Sequence, residues 1–363
     1  MMVRVSPFHV RSAKANAANA WLVRNGRSLA AHYGDPLHEA IVARFSAIMT
    51  DISWRWRIRI DGARAVDCLS RMVTRDPRTL EVGKAFKALW LNDAGAVRGA
   101  GAIGRLSAEE FLLVSAMQDR GWVLSAAKLF GVHVHELDET ECGLAIVGPY
   151  AASVMEAAGL DPHRELLSIA NVDWDGIDIV LSRLGEHGGY EIWCQSSDAL
   201  SVWDRIAAAG ASFALRPAGI EAMDILDLEA GVARPGRDFA PAQNGFGAEP
   251  MPGELGLSSL VDMGHGEFNG RTAYIARIGK EKSLLAGLRF ESEVPAPFSA
   301  LMHDEYCVGR SLSSVYSPAL RCAIAFAMIE PEWAAPGVKL QLAAGSASVS
   351  DLPFLPFSPQ IGQ

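Results

Sequence analysis

Apolar residues recur at helical spacing over about 36–50, 64–73, 119–130, 150–159, 198–209 and 217–229, and they alternate or cluster as β-branched runs near 54–60, 144–147, 177–182, 190–194, 286–290 and 322–329. A 3.6-residue period puts an apolar stripe on a helix and a two-residue period gives a strand one apolar face, so the first set is expected to be helices and the second strands. The two kinds interleave without a sustained βαβ rhythm, which predicts α+β domains. In Trp54-Arg55-Trp56-Arg57-Ile58-Arg59-Ile60 the alternation places Trp54, Trp56, Ile58 and Ile60 on one face of a strand and Arg55, Arg57 and Arg59 on the other. The arginine face suits cross-sheet carboxylates, or one bidentate contact to a ligand carboxylate. The stretch 240–252, with Gly245, Gly247, Pro250 and Pro252, reads as the boundary to a last, strand-rich domain. The proline-bearing segment 346–363 is expected to run extended over the surface, because proline removes donors that a helix or central strand needs.

Half of the 363 residues are hydrophobic, enough for more than one core, so two or three domains are expected. A net charge of −9 argues against nucleic acid or an anionic membrane as partner, since both attract a positive field. A small-molecule substrate is the expected partner; nothing indicates an oligomeric state. The five cysteines, at 68, 142, 194, 307 and 322, form no CxxC pair and suit neither a disulfide framework nor a zinc site, which points to a reducing cytoplasm. No apolar run reaches the roughly 18 residues of a membrane span, so a soluble protein is expected. The first 34 residues lack Asp and Glu, as organellar transit peptides do.

Candidate chemistry concentrates in Gly185-Glu186-His187-Gly188-Gly189-Tyr190-Glu191 and in the helical stretch ending Asp227-Leu228-Glu229-Ala230-Gly231. Gly188 and Gly189 permit backbone angles that would let a ligand approach the main chain beside His187, Tyr190 and Glu191. His187 is the first choice for general acid or base, because imidazole titrates near neutral pH. His133 and His135 alternate on an expected strand but have no third ligand at usable spacing, so no metal is expected. His265 reads as structural. Gly-Ala-Gly-Ala-Ile-Gly at 99–104 mimics a dinucleotide loop, yet no acidic residue follows where a ribose would need one.

Several short motifs run in order along nearly the whole chain: Ser6-Pro7-Phe8-His9, Tyr33 to Asp35 with Glu39, Asp51-Ile52-Ser53, Leu91-Asn92 with Gly95, the Gly188-to-Glu191 turn, Leu228-Glu229-Ala230-Gly231, Glu254-Leu255-Gly256-Leu257, Phe268-Asn269-Gly270-Arg271, and Val308-Gly309 with Ser313-Ser314 and Ser317-Pro318. In this order they resemble the glycine-cleavage T-protein family, the aminomethyltransferases and their folate-dependent demethylase relatives, and the doubled glycine looks closer to the demethylases. Because Ser6-Pro7-Phe8-His9 resembles the family's opening, the acid-free N-terminus is expected to belong to the mature protein.

The resemblance implies a three-domain cloverleaf around a central hole: a discontinuous α+β domain from 1–51 and 136–250, a second α+β domain at 52–135, a linker at 251–269, and a β-barrel-like domain at 270–345 followed by the tail. It implies removal or transfer of a one-carbon group from a small substrate, aromatic ones included, with demethylation onto tetrahydrofolate as the leading reaction. His187, Tyr190 and Glu191 would be catalytic, and Asp51, Trp54, Arg55, Asn92, Gly188, Gly189, Asp227 and Glu229 would shape the pocket. The chain departs from the family pattern at Gly99 and Ala100, where a carboxylate pair resides, at His187, usually Glu or Gln, and at Asp227, usually an Arg suited to the folate tail. Trp54 stands where the family often has His, making the pocket more apolar. One alternative explains the departures at 99, 187 and 227 together: a folate-independent lyase that expels a hydroxymethyl group of an aromatic substrate as formaldehyde, using a base on the hydroxyl and an electron sink such as a phenol, roles that His187, Asp227 and Tyr190 would serve. A third reading, a non-catalytic folate-binding maintenance protein, lacks its Lys-Gly-Cys motif here.

Overall fold

A computed structural model describes residues 3–242, 249–291, 294–343 and 345–356. Its first domain is a six-stranded sheet in the order Ile169–Trp174, Ile177–Ser182, Tyr190–Gln195, Glu141–Val147, Ile48–Asp51, Arg216–Pro217. Strands remote in sequence meet at its centre, where Leu144 pairs with Asp51 and Ile146 with Tyr190. Alternation assigns each residue to a layer. Tyr190, Ile192 and Cys194 face the core beneath the helices Ala151–Ala157 and Ala199–Gly210, whereas Trp193 faces the opposite core with helices Pro36–Phe45 and Ile220–Glu229. The last of these helices is buried on nearly every side, Asp227 and Glu229 included. That explains its weak amphipathic pattern: it lies between layers rather than on a surface.

A second sheet, in the order Ala85–Leu91, Val97–Arg105, Glu110–Ser115, Trp56–Asp61, His133–Glu136, packs under helices Ala65–Met72 and Arg120–Phe130. A small sheet joins Arg4–Val5, Arg27–His32 and Ala20–Arg24, and six strands from Leu284–Phe290 to Gly345–Ser350 close into a barrel. The α+β expectation with a C-terminal barrel therefore holds.

Several local expectations change. The 36–50 helix ends at Phe45 and the chain re-enters as strand Ile48–Asp51. Asp35 caps its start by accepting from Leu37 N at 3.0 Å, and the chain at Ser46 is approached so closely that a Cβ on Gly148 would lie 2.3 Å from Ser46 O. Trp54 is not on the strand, which starts at Trp56: Arg55 N closes a turn on Ile52 O at 3.0 Å and sends the Trp54 ring to Leu29 and Ile220, apart from Trp56, Ile58 and Ile60. The arginine face is spent on carboxylates, Arg57 on buried Glu141 and Arg59 on Glu110. Segment 251–269 is packed rather than free, burying Met251, Leu255, Val261 and Phe268 against Leu89 and Leu91 of the second sheet.

The expected surface tail is corrected as well. Residues 345–350 form a barrel strand, Phe354 is buried, and Leu355 N donates to Glu229 O at 2.8 Å. The prolines lie beyond that strand, so they do not interrupt it. Within the boundary stretch, Gly245 and Gly247 lie outside the described residues, as do residues 357–363 of the tail. No helix among the described residues is long and apolar enough to cross a membrane.

Candidate functional site

Where the two large sheets, the small sheet and segment 251–260 converge, a cavity of about 410 Å³ opens, a size suited to a small organic ligand. Its apolar wall comes from Ile52, Trp54, Val114, Leu184, Ile220, Met223, Leu255 and Leu257, and its charged groups are Arg24, Arg55, Lys87, Glu186, Asp227 and Arg234.

Each cation is matched by a carboxylate. Asp227 accepts from His187 Nε2 at 2.7 Å and from Arg234 Nη1 at 2.8 Å. Arg234 also reaches Asp224 at 2.6 Å, and Arg24 binds that carboxylate with both terminal nitrogens, at 2.9 and 2.8 Å. Arg237 adds a further contact to Asp224 at 2.6 Å, and Arg24 stands 5.0 Å above the Trp54 ring. Arg55 donates to buried Glu191 at 2.6 Å, and Lys87 pairs with Glu186. Burial alone would raise the Asp227 pKa, but Arg234, His187 and Arg55 hold the carboxyl well below the usual carboxylate range. For Arg234 burial works against the charge, and Asp227, Asp224 and Asp238 outweigh it, so its pKa is raised. Asp227 is thus a fixed anion with both oxygens occupied, a poor proton acceptor.

Of the expected site residues, Trp54, Arg55 and Asp227 line this cavity, while His187 and Glu191 stand directly behind as partners of Asp227 and Arg55. Gly188 and Gly189 shape the turn and do not line the cavity: Gly188 has φ +64° and offers its carbonyl to Arg183, and a Cβ on Gly189 would lie 2.4 Å from Ile146 O. Tyr190 does not join the group. It alternates with Glu191 onto the opposite face, is 2 % exposed, and donates its hydroxyl to Pro162 O; burial raises its pKa further from use.

Asp51 does not line the cavity, although its neighbours Thr50 and Ile52 do; it accepts from Ser6 Oγ and from Ser53 N at 2.9 Å, with its pKa raised by burial. Asn92 organises a turn by accepting from Ala94 N and Ala96 N at 3.1 and 2.9 Å. Glu229 joins Arg44 to Ser317 of the barrel. All three are buried or turn-forming polar groups hydrogen-bonded within the protein, and none lines the cavity.

Arg24, Lys87, Asp224 and Arg234 do not stand out in the sequence, and Glu186 does so only as a member of the 185–191 stretch. They come from a hairpin strand, a sheet strand, a turn, a helix and a loop, so no common spacing links them. Position 100, where the family pattern has a carboxylate, does face the cavity, as alanine; position 99 points instead at Trp90, where a Cβ would lie 2.3 Å from the indole. His133 and His135 both contact Asp61, and among the described residues no group of three potential ligands is placed to hold a metal.

Comparison with known proteins agrees with this architecture. The model of the GCVT N-terminal domain matches residues 15–264, and that of the glycine cleavage T-protein C-terminal barrel domain matches 285–355. The chain is 26 % identical over 316 residues to an aminomethyltransferase of Thermoanaerobacter pseudethanolicus, covering 84 % of this chain and 83 % of that protein. It is 27 % identical over 323 residues to one of Bacillus mycoides, covering 84 % of each. The crystal structure of the glycine cleavage system aminomethyltransferase T from Bartonella henselae superposes with a TM-score of 0.88 over 98 % of both chains at 24 % identity, a likeness of fold. On the two domain matches, which between them take in the sheets around the cavity and the barrel, the chain belongs to the glycine-cleavage T-protein family.

Proposed function

We propose that the central cavity removes a one-carbon group from a small ring-bearing substrate, and that it does so without tetrahydrofolate, by releasing formaldehyde from a hydroxymethyl group. The observation that carries this reading is the commitment of the wall charges. A pterin edge presents N–H donors that call for a carboxylate, and the folate tail is anionic and calls for a cation. Yet Asp227 is filled by His187 and Arg234, Glu191 by Arg55, and the lining cations Arg24, Arg55, Lys87 and Arg234 each hold a carboxylate already. The residues present therefore do not fit folate as the family pattern would hold it. A flat neutral ring fits better, against Trp54, Val114, Leu184 and Met223.

In such a reaction a base takes the hydroxyl proton, the C–C bond breaks, and its electron pair passes into a conjugated sink carried by the substrate. The test is incubation with a panel of hydroxymethyl-bearing phenols and a formaldehyde-specific trap; the absence of formaldehyde across the panel would count against the reading.

Demethylation onto tetrahydrofolate is the second reading, supported by the family match and the aminomethyltransferase relatives. Calorimetric titration with tetrahydrofolate separates the two. A binding site without one charge-assisted hydrogen bond to its ligand is weaker by roughly tenfold or more, so a dissociation constant tighter than about a micromolar would restore folate-dependent transfer.

A further inference from the structure

We infer that Glu186 is the proton-accepting residue of the cavity, held by Lys87 until substrate arrives. This rests on the one-carbon reading above and assigns within it a role that His187, Tyr190 and Glu191 do not fill.

Two carboxylate side chains line the cavity among the described residues, Asp227 and Glu186. Asp227 has both oxygens occupied and is 13 % exposed. The Lys87–Glu186 pair differs in kind: its side chains are 28 % and 38 % exposed, and Lys87 comes from the second domain's strand Ala85–Leu91. Hydration offsets most of the attraction in an exposed ion pair, so a ligand hydroxyl can replace Lys87 at little cost, whereas separating the buried pairs leaves an uncompensated charge.

The turn carrying Glu186 is anchored on both sides. Gly188 N donates to Gly185 O at 3.3 Å, and Gly189 abuts Ile146 O. A Cβ on Gly185 would lie 3.1 Å from Glu191 Oε1, so the turn sits directly against the Arg55–Glu191 pair. Glu186 therefore has a fixed backbone, in a turn that abuts the Arg55–Glu191 pair, and a releasable side chain, an arrangement suited to general base work.

The step balances without an oxidant. The substrate O–H bond breaks and its proton passes to Glu186. The O–H electron pair forms the second C–O bond of formaldehyde, and the broken C–C pair flows to the ring oxygen of the substrate's dienone tautomer, in which the phenol proton has moved to the ring carbon that bears the hydroxymethyl group and remains there as the ring regains aromaticity. That oxygen becomes a phenolate, which recovers the proton from Glu186.

The test uses the full-length protein and two binding probes, 2-(4-hydroxyphenyl)ethanol and 4-ethylphenol, which differ by the hydroxyl that Glu186 would accept from. The parent is expected to prefer the alcohol by roughly tenfold or more, and Glu186→Gln to lose that preference while keeping its melting temperature. In turnover, Glu186→Ala should release formaldehyde about 10²-fold or more slowly and be rescued in part by added formate, which a merely bridging carboxylate would not show. An unchanged preference in Glu186→Gln, or formaldehyde release within a few-fold of the parent, overturns the assignment of Glu186 and leaves the reading of the cavity standing. Failure of the parent to bind either phenol overturns the reading, and this assignment with it.

Discussion

Replacing Asp227 by asparagine tests the charge web most directly. The carboxylate accepts at 2.7 Å from His187 and at 2.8 Å from Arg234, in a site where Arg234 is 12 % exposed. Asparagine keeps one acceptor but turns an amide N–H toward the other donor and removes the negative charge. Breaking a buried ion pair costs about 3–5 kcal/mol when the surviving ion is left alone. Arg234 retains Asp224 at 2.6 Å, so a loss of roughly 2–3 kcal/mol is expected for Asp227→Asn. That corresponds to a fall in melting temperature of roughly 4–12 °C on the scaling for domains of 150–250 residues.

The pH dependence follows from the sign of the shift. Asp227 has a folded pKa held below its unfolded value of about 3.9, so its contribution is complete above that value and is lost as pH falls through the folded pKa. The gap between parent and variant should therefore be flat between about pH 5 and 8 and narrow below about pH 4. Scanning calorimetry at several pH values measures it. A variant as stable as the parent at pH 7, or a gap that widens on acidification, would refute the account of Asp227 as a buried anion held by Arg234 and His187.

Three further substitutions bear on the same structure. Tyr190→Phe should cost about 1 kcal/mol by removing the hydrogen bond to Pro162 O and leave turnover at the parental value, because the ring faces away from the cavity; a hundredfold slower enzyme would return Tyr190 to the site. Gly99→Asp should lower stability by about 1–3 kcal/mol as its side chain meets Trp90, whereas Ala100→Asp should fold more stably than Gly99→Asp and change ligand affinity, since position 100 faces the cavity; equal melting temperatures for the two would contradict the assigned register. Glu229→Gln should loosen the barrel from the first domain at a cost of about 1.5–3 kcal/mol by weakening its contacts to Arg44 and Ser317, with ligand affinity unaltered; calorimetry and titration check both parts.

The elements legible in the sequence are those in which local pattern and tertiary role agree. Helices at Ala65–Met72, Arg120–Phe130 and Ala199–Gly210 present one apolar stripe to one core, and strands such as Ile177–Ser182 and Cys322–Ile329 carry the apolar, β-rich runs expected of them. Patterns fail where two elements share one apolar run. Ala47-Ile48-Met49 continues the period of helix Pro36–Phe45, and only pairing with Glu141–Val147 turns it into a strand. The hairpin strands Ala85–Leu91 and Val97–Arg105 give no clear signal because glycines and alanines dilute their alternation. Motif resemblance carried what periodicity did not: the family and the barrel form of the last, strand-rich domain, in an architecture matched by a solved structure at a TM-score of 0.88.

Site residues divide along the same line. Sequence alone determined that residues 185–191 and 227–229 hold an unusual density of charge next to glycine turns, and that position 100 carries no carboxylate. It could not decide which of them meet. The two-residue period separates adjacent Tyr190 and Glu191 onto opposite faces of one strand, and only the packing of each face shows that Glu191 stands behind Arg55 while Tyr190 is closed into a core. Arg24, Asp224, Asp227 and Arg234 converge from a hairpin, a helix and a loop up to 210 positions apart. Tertiary structure decided that convergence, because a charge balance in a cavity is a sum over neighbours in space, which nothing in the local spacing of residues records.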